Sequence, residues 1–301
     1  MRIRLTRRRV RIAVSIGLGL VLLWALTSFA AAYFLTRRPA PQTAEPVPRV
    51  SWGTAEEQVL ETSDGQRLGA WLFAGNDHIP AVVLLHGNGE SRSHSLPCAQ
   101  LLSEAGYTVL AITLRCHGDS TGDVNDFGRS AAADVVAAVD LLERRFPGKP
   151  VVVRGMSLGA AAAIFAAGRL GDRVAAYILE CPFRDLRTAV RNRTRYYLPP
   201  IVEFIAYQGL VLMAPLVIDA PDGIAPIREI VAIPPRVPVL LLAGENDQRA
   251  TPSEVSEFQS AIASHATMVV ISGADHGKLY PAQAEQYSRV VLEFLRRLKN
   301  G

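Results

Sequence analysis

The sequence predicts an α/β fold: a mostly parallel sheet covered by helices on both faces, carried behind an N-terminal transmembrane helix. Three observations predict it. Short apolar runs alternate with longer helical segments. The sequence Gly155-Met156-Ser157-Leu158-Gly159 joins one such run to an alanine-rich helix. Residues 12–36 contain no charged side chain. With 301 residues, 49% hydrophobic and 20% charged, the chain can build one large domain or two ordinary ones and is too apolar for intrinsic disorder.

The first element is a membrane device. The uncharged run 12–36 is 25 residues long; at about 1.5 Å per helical residue it spans a hydrocarbon core of about 30 Å. Trp24, Phe29, Tyr33 and Phe34 crowd its second half, where aromatic rings favour an interface. Arginines 2, 4, 7, 8, 9 and 11 precede it and two follow, so the positive-inside rule puts the N-terminus in the cytoplasm and the rest outside. The alternative is a signal peptide cut near Ala30-Ala31-Ala32, giving a secreted protein. Residues 1–38 are thus a basic arm and anchor, and the proline-rich residues 39–56 are a tether. The arm holds eight arginines and no acid. Residues 39–301 carry 24 basic against 28 acidic residues, net −4 although the chain is +4. The basic balance therefore implies no nucleic-acid partner.

The exported part, 57–299, follows in order. Residues 57–62 and 68–74 read as strands joined by Ser63-Asp64-Gly65. Residues 81–85, 108–114, 151–153, 174–179, 237–242 and 267–271 are continuous apolar runs, as strands buried on both faces require. Helices are expected at 95–105, 129–146, 158–170, 252–264 and 282–298, with stops such as Pro147-Gly148. Residues 182–236 break the alternation. A second span is refused there by Pro199, Pro200, Pro215 and Glu203, so the segment reads as a cap over the carboxyl edge of the sheet.

That edge is where such a sheet carries its chemistry. Ser157 sits in G-x-S-x-G between strand and helix, a turn sharp enough to present a nucleophilic oxygen. A serine needs a base, and the base an orienting acid. Of six histidines, His276 follows a strand downstream, in a loop, while His265 ends a helix. Asp247 follows the preceding strand, with Glu245 as its rival. The oxyanion requires two N–H donors; Leu158, after the nucleophile, and Asn88, in the loop His86-Gly87-Asn88-Gly89, occupy the expected places. In the cap, Tyr196, Tyr197, Leu198, Ile201, Phe204 and Ile205 recur at near-helical spacing. Phe204 and Ile205 are the expected acyl-binding residues. No H-E-x-x-H, C-x-x-C, P-loop or dinucleotide fingerprint lies in a strand–helix context, so no metal or cofactor is expected. Cys98, Cys116 and Cys181 read as free, partly buried thiols, Cys98–Cys116 being the pair favoured if one bridge forms.

These residues resemble those of α/β-hydrolases, in the branch with monoacylglycerol lipases, serine aminopeptidases and membrane-anchored hydrolases of the ABHD type. The resemblance runs over roughly 57–299. It rests on His86-Gly87-Asn88, Arg115-Cys116-His117-Gly118-Asp119-Ser120, the Ser157 turn, Gly244–Asp247 and Asp275-His276-Gly277. It implies an eight-stranded sheet with a cap after strand six. Where the family usually has D-x-R-G-x-G-x-S, Thr113 stands for the aspartate and Cys116 for the first glycine; neither position is catalytic in that family. The reading is a membrane-held serine hydrolase of carboxylic esters, lipid or acyl esters among them. A peptidase or thioesterase of the same fold, and a non-catalytic tethered binding protein, are the alternatives.

Overall fold

The computed structural model describes residues 7–38 and 42–298. Arg2 and Arg4 of the arm, Pro39 and Pro41 of the tether, and Lys299 lie outside the described residues. The elements run α1 (Arg7–Leu35), β1 (Ala55–Glu61), β2 (Arg67–Phe73), β3 (Ala81–Leu85), α2 (Leu96–Glu104), β4 (Thr108–Ile112), α3 (Ala132–Arg145), β5 (Val151–Met156), α4 (Leu158–Leu170) and β6 (Val174–Glu180). Then come α5 (Leu186–Tyr197), α6 (Pro200–Met213), α7 (Pro226–Glu229), β7 (Val239–Gly244), α8 (Pro252–Ala261), β8 (Ala266–Ile271), α9 (Leu279–Ala282) and α10 (Ala284–Arg297).

The sheet has eight strands in the order β1-β2-β4-β3-β5-β6-β7-β8. β1 and β2 pair antiparallel, as do β2 and β4; the remaining pairs are parallel. Every residue of β3, β4, β5 and β7 is buried, which explains their unbroken apolar sequences. Apolar residues of α3, α4 and α8 cover one face and those of α2 and α10 the other. In α10 the buried residues Tyr287, Val291 and Leu295 recur every fourth position, one stripe of a helix. The direction of winding reverses between β3 and β5. Loops leaving these two neighbours diverge there and open a crevice at the carboxyl edge.

The cap follows β6. Asp185 caps α5, accepting the Thr188 amide at 2.8 Å. Pro199-Pro200 ends that helix and opens α6. Glu203 is buried inside the cap, accepting from Arg191 at 3.4 Å and Thr194 at 3.3 Å, while Ile201, Val202, Phe204, Ile205 and Leu212 of α6 are exposed. Helix α1 packs on α6. Trp24 Nε1 donates to the Ile205 carbonyl at 3.1 Å. Gly209 faces Ser28 so closely that a Cβ there would lie 2.1 Å from Ser28 Oγ. Otherwise α1 stands clear, exposing apolar side chains from Val10 to Leu35.

The segment expected as an extended tether has no helix or strand from 42 to 54 and is bonded to the domain. Arg38 donates to the Gly122 carbonyl at 2.9 Å. Glu45 accepts from Thr113 Oγ1 at 2.6 Å and pairs with buried Arg92 at 2.9 Å. The carboxylate that Thr113 lacks is therefore supplied by Glu45. Cys116 holds φ = +65°, the left-handed region in which glycine is unstrained. The three cysteines are buried free thiols.

Candidate active site

Ser157 stands between β5 and α4 at φ = +50°, ψ = −103°, a strained position for a residue with a side chain. Its neighbours explain how the turn closes. A Cβ on Gly155 would come within 2.4 Å of the Gly159 backbone, and one on Gly159 within 2.6 Å of the Leu85 carbonyl oxygen. Both positions must be glycine for β5, α4 and β3 to approach this closely. The Ser157 amide donates to the Glu180 carbonyl at 2.8 Å, tying the turn to β6.

His276 lies in the loop after β8 and Asp247 in the loop after β7. His276 Nε2 is 2.9 Å from Ser157 Oγ, and His276 Nδ1 is 2.8 Å from Asp247 Oδ2. The carboxylate partner fixes the tautomer: Nδ1–H donates to Asp247, leaving Nε2 to accept the serine proton. Asp247 Oδ1 accepts the amides of Arg249 at 2.8 Å and Ala250 at 2.9 Å. Burial raises the Asp247 carboxyl, but the bond and charge of His276 and these two amides outweigh it, and its pKa falls below the ordinary value. For His276 burial lowers the pKa, Asp247 opposes, and Arg249 and Arg193 lower it further; the net direction is downward from 6.5. That shift favours the neutral imidazole.

The rival acid Glu245 is exposed and accepts the Gly273 amide at 2.7 Å, holding the neighbouring loop. His86 is buried between two backbone partners, Nδ1 donating to the Gly87 carbonyl at 2.7 Å and Nε2 accepting the Leu114 amide at 2.9 Å. Burial, then the charge of His117, push it down to about 3, so it serves the loop and not proton transfer. That loop brings Asn88 to the cavity beside Ser157 and Leu158. Among the described residues, the amides of Asn88 and Leu158 have no acceptor. Cys181, Asp247 and His276 each bring one ligand-type atom within 4.8 Å of the others, but the Nδ1–Oδ2 hydrogen bond already uses two of them.

The cavity measures about 300 Å³. Its apolar wall includes Phe127, Phe183, Leu186, Leu198 and Leu210, with Leu35 contributed by the end of α1. Phe204 and Ile205, the expected acyl-binding residues, do not line it; they are exposed on the opposite side of α6. Helical spacing identified one face of the cap helix, and that face turns outward because Glu203, bonded to α5, and Leu210, on the cavity wall, occupy the inner side. Leu35 and Arg193, also on the cavity wall, were not expected. Arg193 lay within a conspicuous basic stretch; nothing in the sequence tied Leu35 to the site.

This fold, with a sharp strand–helix turn at its carboxyl edge and a serine–histidine–aspartate hydrogen-bond chain beside it, is that of the α/β hydrolases. A model of the Alpha/beta hydrolase family matches residues 82–291. The chain is 30% identical over 270 residues to an uncharacterized protein of Mycobacterium tuberculosis, covering 88% of this chain and 84% of that one. It is 33% identical over 123 residues to Lysophosphatidylserine lipase ABHD12 of Gallus gallus, covering 39% of this chain and 32% of that one. Among solved structures, an esterase of Pyrococcus furiosus superposes with a TM-score of 0.69 at 24% identity over 85% of this chain and 98% of its own. A membrane phospholipase A superposes at 0.60 and 16% identity, over 97% of this chain and 98% of its own. The chain belongs to the alpha/beta hydrolase family.

Proposed function

We propose that the protein is a single-pass, membrane-anchored serine hydrolase that cleaves carboxylic esters of lipids through an acyl-enzyme. The observation that carries this reading is the continuous chain Asp247–His276–Ser157, at 2.8 and 2.9 Å, opening on an apolar cavity. Ser157 Oγ attacks the ester carbonyl while His276 Nε2 takes its proton and Asp247 holds the imidazolium. The tetrahedral oxyanion is met by the Asn88 and Leu158 amides, with the α4 N-terminus behind them. The C–O bond to the alcohol then breaks as His276 returns the proton to the leaving oxygen. Water, deprotonated by His276, releases the acid and restores Ser157.

The lipid part of the reading is supported by α1 and α6. Helix α1 is long and apolar enough to cross a membrane. Its contact with α6 falls at Trp24 and Ser28. Ser28 is seven residues, or about 10 Å, before Leu35. If residues 12–36 span the bilayer, α6 is immersed in the near leaflet with its apolar side chains against lipid, and Leu35 and Leu198 line a cavity at the membrane face. Arg7, Arg8, Arg9 and Arg11 hold the N-terminus in the cytoplasm, leaving the hydrolase domain outside it. The similarity to a lysophosphatidylserine lipase and a membrane phospholipase agrees with such a substrate.

A fluorophosphonate probe tests the reading. The wild-type chain in detergent should label and hydrolyse p-nitrophenyl esters, and Ser157→Ala should do neither. Absence of labelling and turnover in a folded wild type would leave a binding protein on this fold as the better account. A periplasm- or lumen-dependent reporter fused after Gly301 should be active; activity of a cytoplasm-dependent reporter instead would reverse the orientation.

A further inference from the structure

Among the described residues that line the cavity beside Ser157, Arg193 of α5 is the one with a charged side chain. Five arginines follow one another between 184 and 195, and they differ in their partners. Arg184 pairs with Asp185 and Glu257, Arg187 with Asp222, and Arg191 with Glu203; Arg195 is exposed to solvent. Arg193 turns inward, and among the described residues its guanidinium makes one hydrogen bond, from Nη1 to the Ala189 carbonyl of its own helix at 3.1 Å.

Arg249 comes close to Arg193 from the loop that carries Asp247. Asn192 joins the two segments, donating to Glu254 Oε1 at 2.7 Å and to the Arg249 carbonyl at 3.4 Å. Arg249 Nη2 donates to the His276 carbonyl at 3.3 Å. Among the described residues neither guanidinium has a carboxylate within ion-pair distance. The acids nearby are committed: Asp247 to His276 and two amides, Glu254 to Asn192 and the Thr251 amide. The two arginines are close enough to repel each other and to act together on His276; burial, then the charge of Arg249, lowers the Arg193 pKa. Two like charges beside an apolar cavity are costly without an anion between them, and among the described residues most of their ten N–H donors are unused.

We infer that Arg193 and Arg249 form an anion-binding subsite that takes a phosphate or carboxylate on the alcohol side of the scissile ester. The side follows from His276. The leaving oxygen collects its proton from Nε2, so the group beside His276 belongs to the alcohol, while the acyl chain follows the apolar wall toward Leu35, Leu198 and Leu210. The preferred substrate is thus an ester of an anionic alcohol, whether a lipid headgroup or a small soluble phosphate.

The inference rests on the ester-hydrolase reading, and one experiment separates the two. The full chain in neutral detergent micelles is given 1-acylglycerol and the same acylglycerol 3-phosphate, each with butanoyl and with oleoyl chains. The wild type should show kcat/KM at least tenfold higher for the phosphate. Arg193→Gln should lower that phosphate-to-neutral ratio at least tenfold, Arg249→Gln several-fold, and Arg193→Lys should restore part of it. A loss of fold or of positioning would lower both substrates together and leave the ratio alone. A preference confined to oleoyl esters identifies a lipid headgroup; one shared by butanoyl esters identifies the phosphate itself. Neutral hydrolysis with a ratio near one, or a ratio unchanged in both glutamine variants, overturns the subsite while leaving the ester hydrolase standing. No turnover of any ester overturns both.

Discussion

The turn around Ser157 and the cap above it obey different constraints. At the turn, a single Cβ on Gly155 or Gly159 would drive into backbone atoms at 2.4–2.6 Å, and a backbone cannot step aside as a side chain can. In the cap, Ile201, Phe204 and Ile205 touch little protein and face outward. The first region is determined by contact with its own sheet. The second is determined by what surrounds the molecule, here helix α1 and, on our proposal, lipid. On that proposal, chemistry is held by the closely packed turn, and choice of substrate by the region that packs on α1.

Predictions can break or sharpen this contrast. The largest effects belong to the turn. Ser157→Ala should lower kcat by about 10⁴-fold or more, and adding His276→Ala should lower it no further, since groups acting as a unit are not additive. An additive double variant, measured by initial rates, would mean that the two residues do not act on one proton. Gly159→Ala should cost about 1–3 kcal/mol by overpacking and drop the thermal midpoint. An unchanged midpoint would refute the close approach of α4 to β3.

The cap should respond by selectivity instead. Leu198 and Leu210 line the cavity, and each CH₂ buried is worth about 0.8 kcal/mol. The rise in kcat/KM from acetate to octanoate esters should flatten in Leu210→Ser, with acetate hydrolysis reduced much less. Phe204→Ser with Ile205→Ser should leave the chain-length series on soluble esters in place and weaken association with liposomes. The opposite pattern would return the acyl chain to the outer face of α6. A chain beginning at residue 42 loses Leu35 and uncovers the α1 contact on α6, so it should retain its triad yet aggregate without detergent and lose long-chain preference.

The smallest effect is on pH. His276 must be neutral to accept the serine proton, and its pKa lies below the ordinary 6.5. The acid limb of kcat/KM reports the free enzyme. Activity should therefore persist as pH falls through 6.5 and decline only below it. A midpoint above 6.5 would mean that Asp247 outweighs burial and the two arginines.

Much of this was legible in the sequence because each signal was short-range. Residues 81–85 and 158–170 match β3 and α4, since continuous apolar runs and alanine-rich periodicity have few other solutions. Ser157, Asp247 and His276 each follow a recognisable strand. The rest depended on contacts between segments far apart in the chain. Spacing groups Ile201, Phe204 and Ile205 on one face but does not say which way it turns. Arg193 looks like any member of a solvated basic run until its neighbours are seen to hold carboxylates. Glu45 sits 68 residues from Thr113, and no local pattern joins them.

The central claim is that Ser157 carries the acyl group between ester and water. Acid-quenching the full chain during turnover of p-nitrophenyl octanoate, followed by peptide mass spectrometry, tests it directly. The peptide containing Ser157 should gain the mass of one octanoyl group, fragmentation should assign it to that serine, and the adduct should be absent from Ser157→Ala. An octanoyl group on another residue, or sustained hydrolysis by Ser157→Ala, would contradict the account.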